Sequence, residues 1–168
     1  MGRFKLNKAG VAKVRKMLRH QVAEVQKAFA VNAYTFLVDF DYHVDGGSQG
    51  TGPGGWSFYY VANWNCKVSG IDKSVITPPR AWSEEYQKFA GKVDRQKIFT
   101  VTPNLTCGKR ISITNSVWYG PILNDGGSDP RFHAESSRPN RFLEQCLNHL
   151  EELAPTLIKD VEEDCPEI

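Results

Sequence analysis

The sequence predicts an α+β fold: a small, mostly antiparallel sheet covered by a long N-terminal helix, with a further helix at the C-terminal end. Three observations predict it. Val11, Val14, Leu18, Val22, Val25, Phe29, Ala33 and Phe36 recur at spacings of three and four, the period of one helical face. Trp64, Cys66 and Val68 alternate with Asn63, Asn65 and Lys67, and Ile111 and Ile113 alternate with Ser112 and Thr114, the period of strands with one apolar face. Phe142, Cys146, Leu150 and Leu153 then return to helical spacing. A chain of 168 residues suits one domain with a sizeable core, so 1–168 reads as a single domain.

Taken in order, Asn7 is a plausible N-cap for a first helix from Lys8 to about Val38. Its other side carries Lys13, Arg15, Lys16, Arg19, Gln26 and Lys27. A helix of that length must lie across a sheet, or protrude and pack on a partner. Asp39, Asp41 and His43 alternate and would share a strand face. They fail the calcium-loop pattern, because Val44 stands where the loop needs glycine and no Glu closes it. A polar strand edge is the better reading. The glycine-rich tract at 46–55 has no G-K-[ST] and precedes no obvious helix with a dinucleotide fingerprint. It reads as a mobile loop that can order on assembly.

Thr77-Pro78-Pro79 is a rigid extended break. Trp82, Tyr86, Phe89 and Val93 then predict a shorter amphipathic helix, and Ile98–Val101 predicts a second short strand. Pro103 and Gly108 form a turn ahead of the strand at Ile111. Asn115 and Ser116 break that strand, and Val117, Trp118 and Tyr119 place large apolar area beside Gly120 and Pro121. Such a pair of aromatics should be at least partly buried, under the first helix or at a subunit contact. Ile122 and Leu123 read as a short apolar step, and Asn124-Asp125-Gly126-Gly127-Ser128 as a turn. The segment from Asp129 to Asn140 is polar and extended. The last helix starts near Pro139, meets Pro155, which should kink or restart it, and ends in an acidic tail from about residue 156, with 165–168 frayed.

Composition excludes several classes. Hydrophobic content of 40%, charged content of 24% and a net charge of +2 are ordinary for a globular domain. The distribution of charge is not. Up to Val38 eight basic residues face Glu24 alone, and from Phe142 onward eight acidic residues face Lys159 alone. Such asymmetry favours pairing of the two ends, within a subunit or between neighbours. The cysteines, Cys66, Cys107, Cys146 and Cys165, form no C-x-x-C and no Cys/His cluster, and there is no secretory or membrane-spanning apolar run. A protein made and kept in a reducing cytosol, with no membrane partner and no metal, is expected. Leu6 stands where myristoylation needs Ser or Thr.

One string is more specific. I-T-N-S-V-W-Y-G-P-I-L-N-D-G-G-S, ending at Ser128, resembles the I-T-N-x-x-x-Y-a-x-x-L-N-D-G-x-S segment of tail-completion or neck proteins of tailed bacteriophages, the group that includes the minor tail protein Z type. The matching positions are Ile113, Thr114, Asn115, Tyr119, Leu123, Asn124, Asp125, Gly126 and Ser128. A-N-W-N-C-K-V is similar to that group's G-N-W-x-V-type strand at Asn63, Trp64 and Val68. The order of long helix, strand, connecting helix, strand and signature loop also follows the group from Lys8 to Ser128. The chain departs from it in the longer glycine-rich loop and in the longer segment after Gly127.

The resemblance implies a ring of six copies at the junction of capsid connector and tail, with genome DNA passing through the middle. The expected partners are the chain itself, the head–tail connector, and tail-terminator or tail-tube proteins. The expected location is the virion, after synthesis in the bacterial host cytoplasm. A tail-terminator ring is the alternative within that class. Outside it, a channel component contacting DNA through Lys13, Arg15, Lys16, Arg19 and Lys27 is the alternative; the same residues suit an acidic protein partner. Trp118, Tyr119, Leu123, Asn124, Asp125, Trp56 and Tyr59 are the expected subunit contacts. Catalysis is not expected, because His20, His43, His133 and His149 show no nucleophile or base spacing, and no cofactor motif occurs. No helix-turn-helix, zinc-finger, RRM or KH signature appears.

Overall fold

The apolar spacing that opens at Val11 is realised as α1, an unbroken helix of 32 residues over Lys8–Asp39. After it come α2 (Trp56–Ala62), β1 (Trp64–Val68), α3 (Lys97–Val101), a 3-10 turn at Thr102–Asn104, β2 (Ile111–Asn115), α4 (Gly120–Asp125) and α5 (Phe142–Asp164). The computed structural model describes residues 8–40, 56–77, 92–127 and 139–164. The expected Asn7 cap, Asp41 and His43, the 46–55 tract, most of the helix expected at 82–93, Ser128, most of the 129–140 segment and the 165–168 end lie outside these residues. The side chain of Trp56 does too.

β1 and β2 form a two-stranded antiparallel sheet in which Trp64 faces Asn115, Cys66 faces Ile113 and Val68 faces Ile111. The expected pairing of apolar positions holds for Cys66 and Val68, whereas Trp64 lies opposite Asn115 and burial does not alternate along either strand. The sheet's polar face is not left to solvent. Asn65 is 5% exposed, because the extended chain at 71–77 crosses it: Asn65 Nδ2 donates to the Ser74 carbonyl at 2.9 Å, and the Thr114 hydroxyl donates to the Asp72 carbonyl.

α1 covers the other face. Tyr34 is 1% exposed, and its hydroxyl donates to the Asp94 carbonyl at 2.8 Å. α5 runs back antiparallel beside α1. Phe142 meets Phe40 at 6.1 Å between ring centroids, the Cys146 thiol reaches the Ala33 carbonyl at 3.9 Å, and His149 stacks on Phe36 at 5.0 Å. An Arg95–Asp39 ion pair of 2.7 Å places a cation at the C-terminal end of α1, where the helix dipole favours it.

Four expectations change. Ile98–Val101 is not a strand but lies in α3, with Ile98 fully buried. A four-residue stretch carries no usable period, and Asp94 sets a turn instead, its carboxylate accepting the Gln96 amide at 3.0 Å. Trp56–Ala62 is helical directly after the glycine tract; Tyr59, Tyr60, Val61 and Ala62 are all buried, so these four residues show no apolar–polar period. Ile122–Asp125 is helix and not an apolar step followed by a turn. Pro121 occupies its first turn, and the turn chemistry acts only at its end, where Gly126 takes φ +78° and donates its amide to the Ile122 carbonyl at 2.9 Å. Finally, α5 begins at Phe142 and runs continuously through Pro155. That ring removes only the bond that the exposed Glu151 carbonyl would accept.

The core makes one pH-dependent contribution. Burial, with Cys66 and Asp94 nearby, raises the Tyr34 hydroxyl above its ordinary value of 10.0. Burial alone does the same for Tyr60 and lifts the Cys146 thiol above 9.0. The Cys66 thiol is raised by burial and by Asp94 and Asp72, against the opposing pull of Lys97. The folded chain thus holds these protons more tightly than the unfolded one. The stability they contribute is complete below pH 9 and is lost as pH rises, through 9.0 for the thiols and 10.0 for the tyrosines. Thermal melts against pH should show the melting temperature falling above 9 and more steeply above 10, with a shallower fall in Tyr60→Phe. A level profile through that range would show that these groups are not enclosed.

Candidate assembly surface

Two stretches of sequence meet at one corner of the fold, and the polar residues there hold irregular backbone. Asn115, paired across the sheet with Trp64, donates from Nδ2 to the Tyr60 carbonyl at 2.7 Å and accepts the Val117 amide at 3.1 Å. One side chain thereby fastens α2 and starts the aromatic turn. Asn63 is 1% exposed; it donates to the Tyr59 carbonyl at 2.7 Å and accepts the Ile76 amide at 2.6 Å. The Tyr119 ring is fully buried, 5.8 Å from Tyr60 and 6.5 Å from Tyr59. Gly120 allows that approach, since a Cβ there would meet the Tyr60 hydroxyl at 3.0 Å.

Asn124 then starts another element. Its Oδ1 accepts the Leu143 amide at 3.1 Å and its main-chain carbonyl accepts the Arg141 amide at 2.9 Å. A residue on α4 therefore caps the first turn of α5, where unpaired amides need acceptors. Its Nδ2 donates to Asp125 at 2.6 Å. Arg141 is left at φ +47°, a conformation that side chains other than glycine adopt only when held. Asn140 holds it from the other side, its Nδ2 donating to the Leu123 carbonyl at 2.8 Å.

This corner corrects part of the expected contact set. Tyr59, Tyr119, Leu123 and Asn124 are 3%, 0%, 0% and 6% exposed. Their side chains are enclosed within the subunit and build the corner instead of presenting a surface. Of the expected contacts only Trp118 and Asp125 are described as exposed. Trp118 is 43% exposed and lies edge-on to Tyr119 at 5.4 Å, so the expected burial belongs to Tyr119 and only in part to Trp118.

The open surface lies elsewhere, on the N-terminal half of α1. The first fully buried residue of that helix is Ala23. Before it, Val11, Val14, Leu18 and Val22 are 42%, 51%, 52% and 46% exposed. They line an open apolar groove that Cys107 borders from the turn before β2. Arg15 and Arg19 flank it, and Lys13 and Lys16 are exposed on the same half. None of these four cations makes an ion pair with a described residue. Lys27 sits apart, bound to Glu24 at 2.7 Å. α5 brings its acidic end back alongside α1, yet among the described residues no ion pair joins the two helices. Lys159 pairs instead with Glu163 on its own helix.

The apolar spacing from Val11 onward was legible, but its exposure was not. One signal was available: the seam from Val11 to Phe36 spans about 37 Å of helix, whereas strands of five residues cover only about 17 Å. Among the described residues no group of three or more His, Cys, Asp or Glu is placed to hold a metal ion, and no helix is long and apolar enough to cross a membrane. No family model, curated protein or solved structure matches the chain.

Asn124→Ala should cost about 1–2 kcal/mol, the loss of a cap with a buried amide left unpaired. Chemical denaturation should show a lower midpoint at unchanged slope; an unchanged midpoint would remove Asn124 from the cap. Tyr119→Ala should cost about 3–5 kcal/mol and Trp118→Ala only about 1 kcal/mol. Equal losses for the two would contradict the burial difference between them.

Proposed function

We propose that this chain is a structural protein of a tailed-phage virion, a subunit of a ring at the head–tail junction that joins the connector to the tail while genome DNA passes through the middle. The observation that carries the reading is the free half of α1. Four large aliphatic side chains are about half exposed on one face of a helix whose buried residues all lie from Ala23 onward, which is the surface of a subunit that assembles. The place in the virion comes from the resemblance, whose positions Asn63, Trp64, Asn115, Tyr119, Leu123 and Asn124 meet at one corner of the fold. A building block of this kind needs no catalytic group and no cofactor. Its partners are other copies of itself, six to a ring, the connector on one side and tail-terminator or tail-tube proteins on the other. It would be made in the bacterial host cytoplasm and end in the neck or tail of the particle.

Disrupting the reading frame in the phage that carries it tests this directly. Electron microscopy of the lysate should show filled heads and finished tails that are not joined, and supplying the chain from a plasmid should restore joined particles. Normal, infectious particles without the chain would overturn the reading.

A second reading is favoured by one observation, the absence of ion-pair partners for Lys13, Arg15, Lys16 and Arg19 among the described residues. As a channel component, α1 would face DNA. Its binding to duplex DNA should then fall steeply with salt, as counterions released by each neutralised phosphate require. Retention of DNA that is weak at low salt and insensitive to added salt would set this reading aside.

A further inference from the structure

We propose that the groove on the N-terminal half of α1 is filled by the outer face of α5 from a second copy of this chain, in a head-to-tail contact. This rests on the reading that the chain assembles with itself and names the two surfaces that meet.

α5 carries an apolar stripe of its own. Leu143, Leu147 and Ile158 are 47%, 60% and 42% exposed. At roughly 100° per residue these three fall within about 60° of arc, on the flank of the helix beside the face that Phe142 and Cys146 bury against α1. By the same geometry Glu144, Glu151 and Glu162, all exposed, lie along one edge of that stripe. On α1 the stripe of Val11, Val14, Leu18 and Val22 has Arg15 and Arg19 along one edge. The two surfaces therefore share a pattern, an aliphatic ridge with a charged border, and differ in the sign of the border. The α5 stripe is long enough to cover the other: Val11 to Val22 spans about 16 Å and Leu143 to Ile158 about 22 Å of helix.

The signs decide the symmetry. Two α1 stripes brought together would set Arg15 and Arg19 of each copy against the other's, and two α5 stripes would oppose glutamates. Both two-fold pairings are penalised by like charge. The unlike pairing, α1 of one copy on α5 of the next, leaves a free stripe at each end. Such a contact repeats until it closes, as rings do. Within one subunit both stripes stay exposed and no ion pair joins α5 to α1 among the described residues, so the contact is assigned to two copies.

The test uses two charge-reversed forms of the full chain, R15E/R19E and E151R/E162R, followed by sedimentation velocity and light scattering. Every substituted residue is exposed, so each form should fold with the far-UV spectrum and melting behaviour of the parent. Each alone should self-associate about tenfold more weakly or worse. An equimolar mixture should recover association, because the acidic α1 of one form then meets the basic α5 of the other. That recovery is something a folding defect could not produce. Leu18→Asp, which leaves the charged borders intact, should also reduce association, and no mixing should rescue it. Alkylation of Cys107, read at its own peptide, should slow in the assembled parent relative to R15E/R19E. A parent that stays monomeric, or reversed forms that associate like the parent, or a mixture that fails to recover, would overturn the contact. Failure here with the chain still required for joined particles would leave the virion role standing with a different interface. Recovery on mixing without any effect of gene disruption would leave the contact standing and remove the virion role.

Discussion

The fold depends on satisfying buried main chain that no sheet can reach. With two strands of five residues each, the ladder pairs few backbone groups, yet the core draws in the ends of short helices and the extended stretch at 71–77. Buried amides and carbonyls left without partners would each cost on the order of 1–3 kcal/mol. Asparagine side chains supply the missing donors and acceptors. Asn63, Asn65, Asn124 and Asn140 are 1%, 5%, 6% and 7% exposed, and together with the half-buried Asn115 each bonds to main chain of another segment. An asparagine suits this task because one short side chain offers both a carbonyl and two N–H groups. Asp at the same place would accept but not donate, and would bring an unmatched charge into the core.

That constraint explains why the aromatic corner is where it is. The asparagines fix the ends of α2, α4 and α5, and Tyr59, Tyr60, Tyr119 and Phe142 fill the space between those ends. Tyr60 alone lies within 5.8 Å, between ring centroids, of Trp64, Tyr119 and Phe142. A cluster packed this closely tolerates no added volume, hence Gly120 against the Tyr60 ring. The same cluster orients α5 by seating Phe142 at its first residue, and α5 then buries the C-terminal half of α1. Among the described residues nothing comparable covers the other half, whose aliphatic face is about half exposed.

Much of this was legible in the sequence, unevenly and for physical reasons. α1 showed itself within one residue of its end because spacings of three and four are sustained from Val11 to Phe36, and the strands showed because Trp64, Cys66 and Val68 alternate with polar residues. The short helices were hidden. Tyr59–Ala62 are all buried and Ile98–Val101 is only four residues long, so neither carries a helical period. Leu123 and Asn124 looked like the approach to a turn because the signature was read along the chain, whereas its meaning lies across it: Asn124 acts on Leu143, which no local pattern connects to it. The stripe on α1 suits either a helix lying across a sheet or one that packs on a partner, because periodicity reports that a face is apolar and not what covers it. Tyr59, Tyr119 and Leu123 were taken as contacts for the converse reason, since a cluster of large apolar residues looks alike whether it is enclosed or presented.

The energetics of the proposed contact follow from the exposed side chains of the two stripes. Four aliphatic side chains about half exposed would each gain roughly 1 kcal/mol on being covered. The three on α5 would add about 3 kcal/mol, and the charged borders at most about 1 kcal/mol per pair. That gross gain, near 10 kcal/mol, is of the same order as the 4–15 kcal/mol that two bodies lose in freedom when they join. One contact is therefore marginal. In a closed set each copy makes two contacts, and the last one forms between partners already held near each other, at high effective concentration. Closure, and not any single pair, would carry the stability. A chain built this way stays dispersed until enough copies, or a template that gathers them, are present. The charged borders keep the exposed stripes from pairing with their own kind in the meantime.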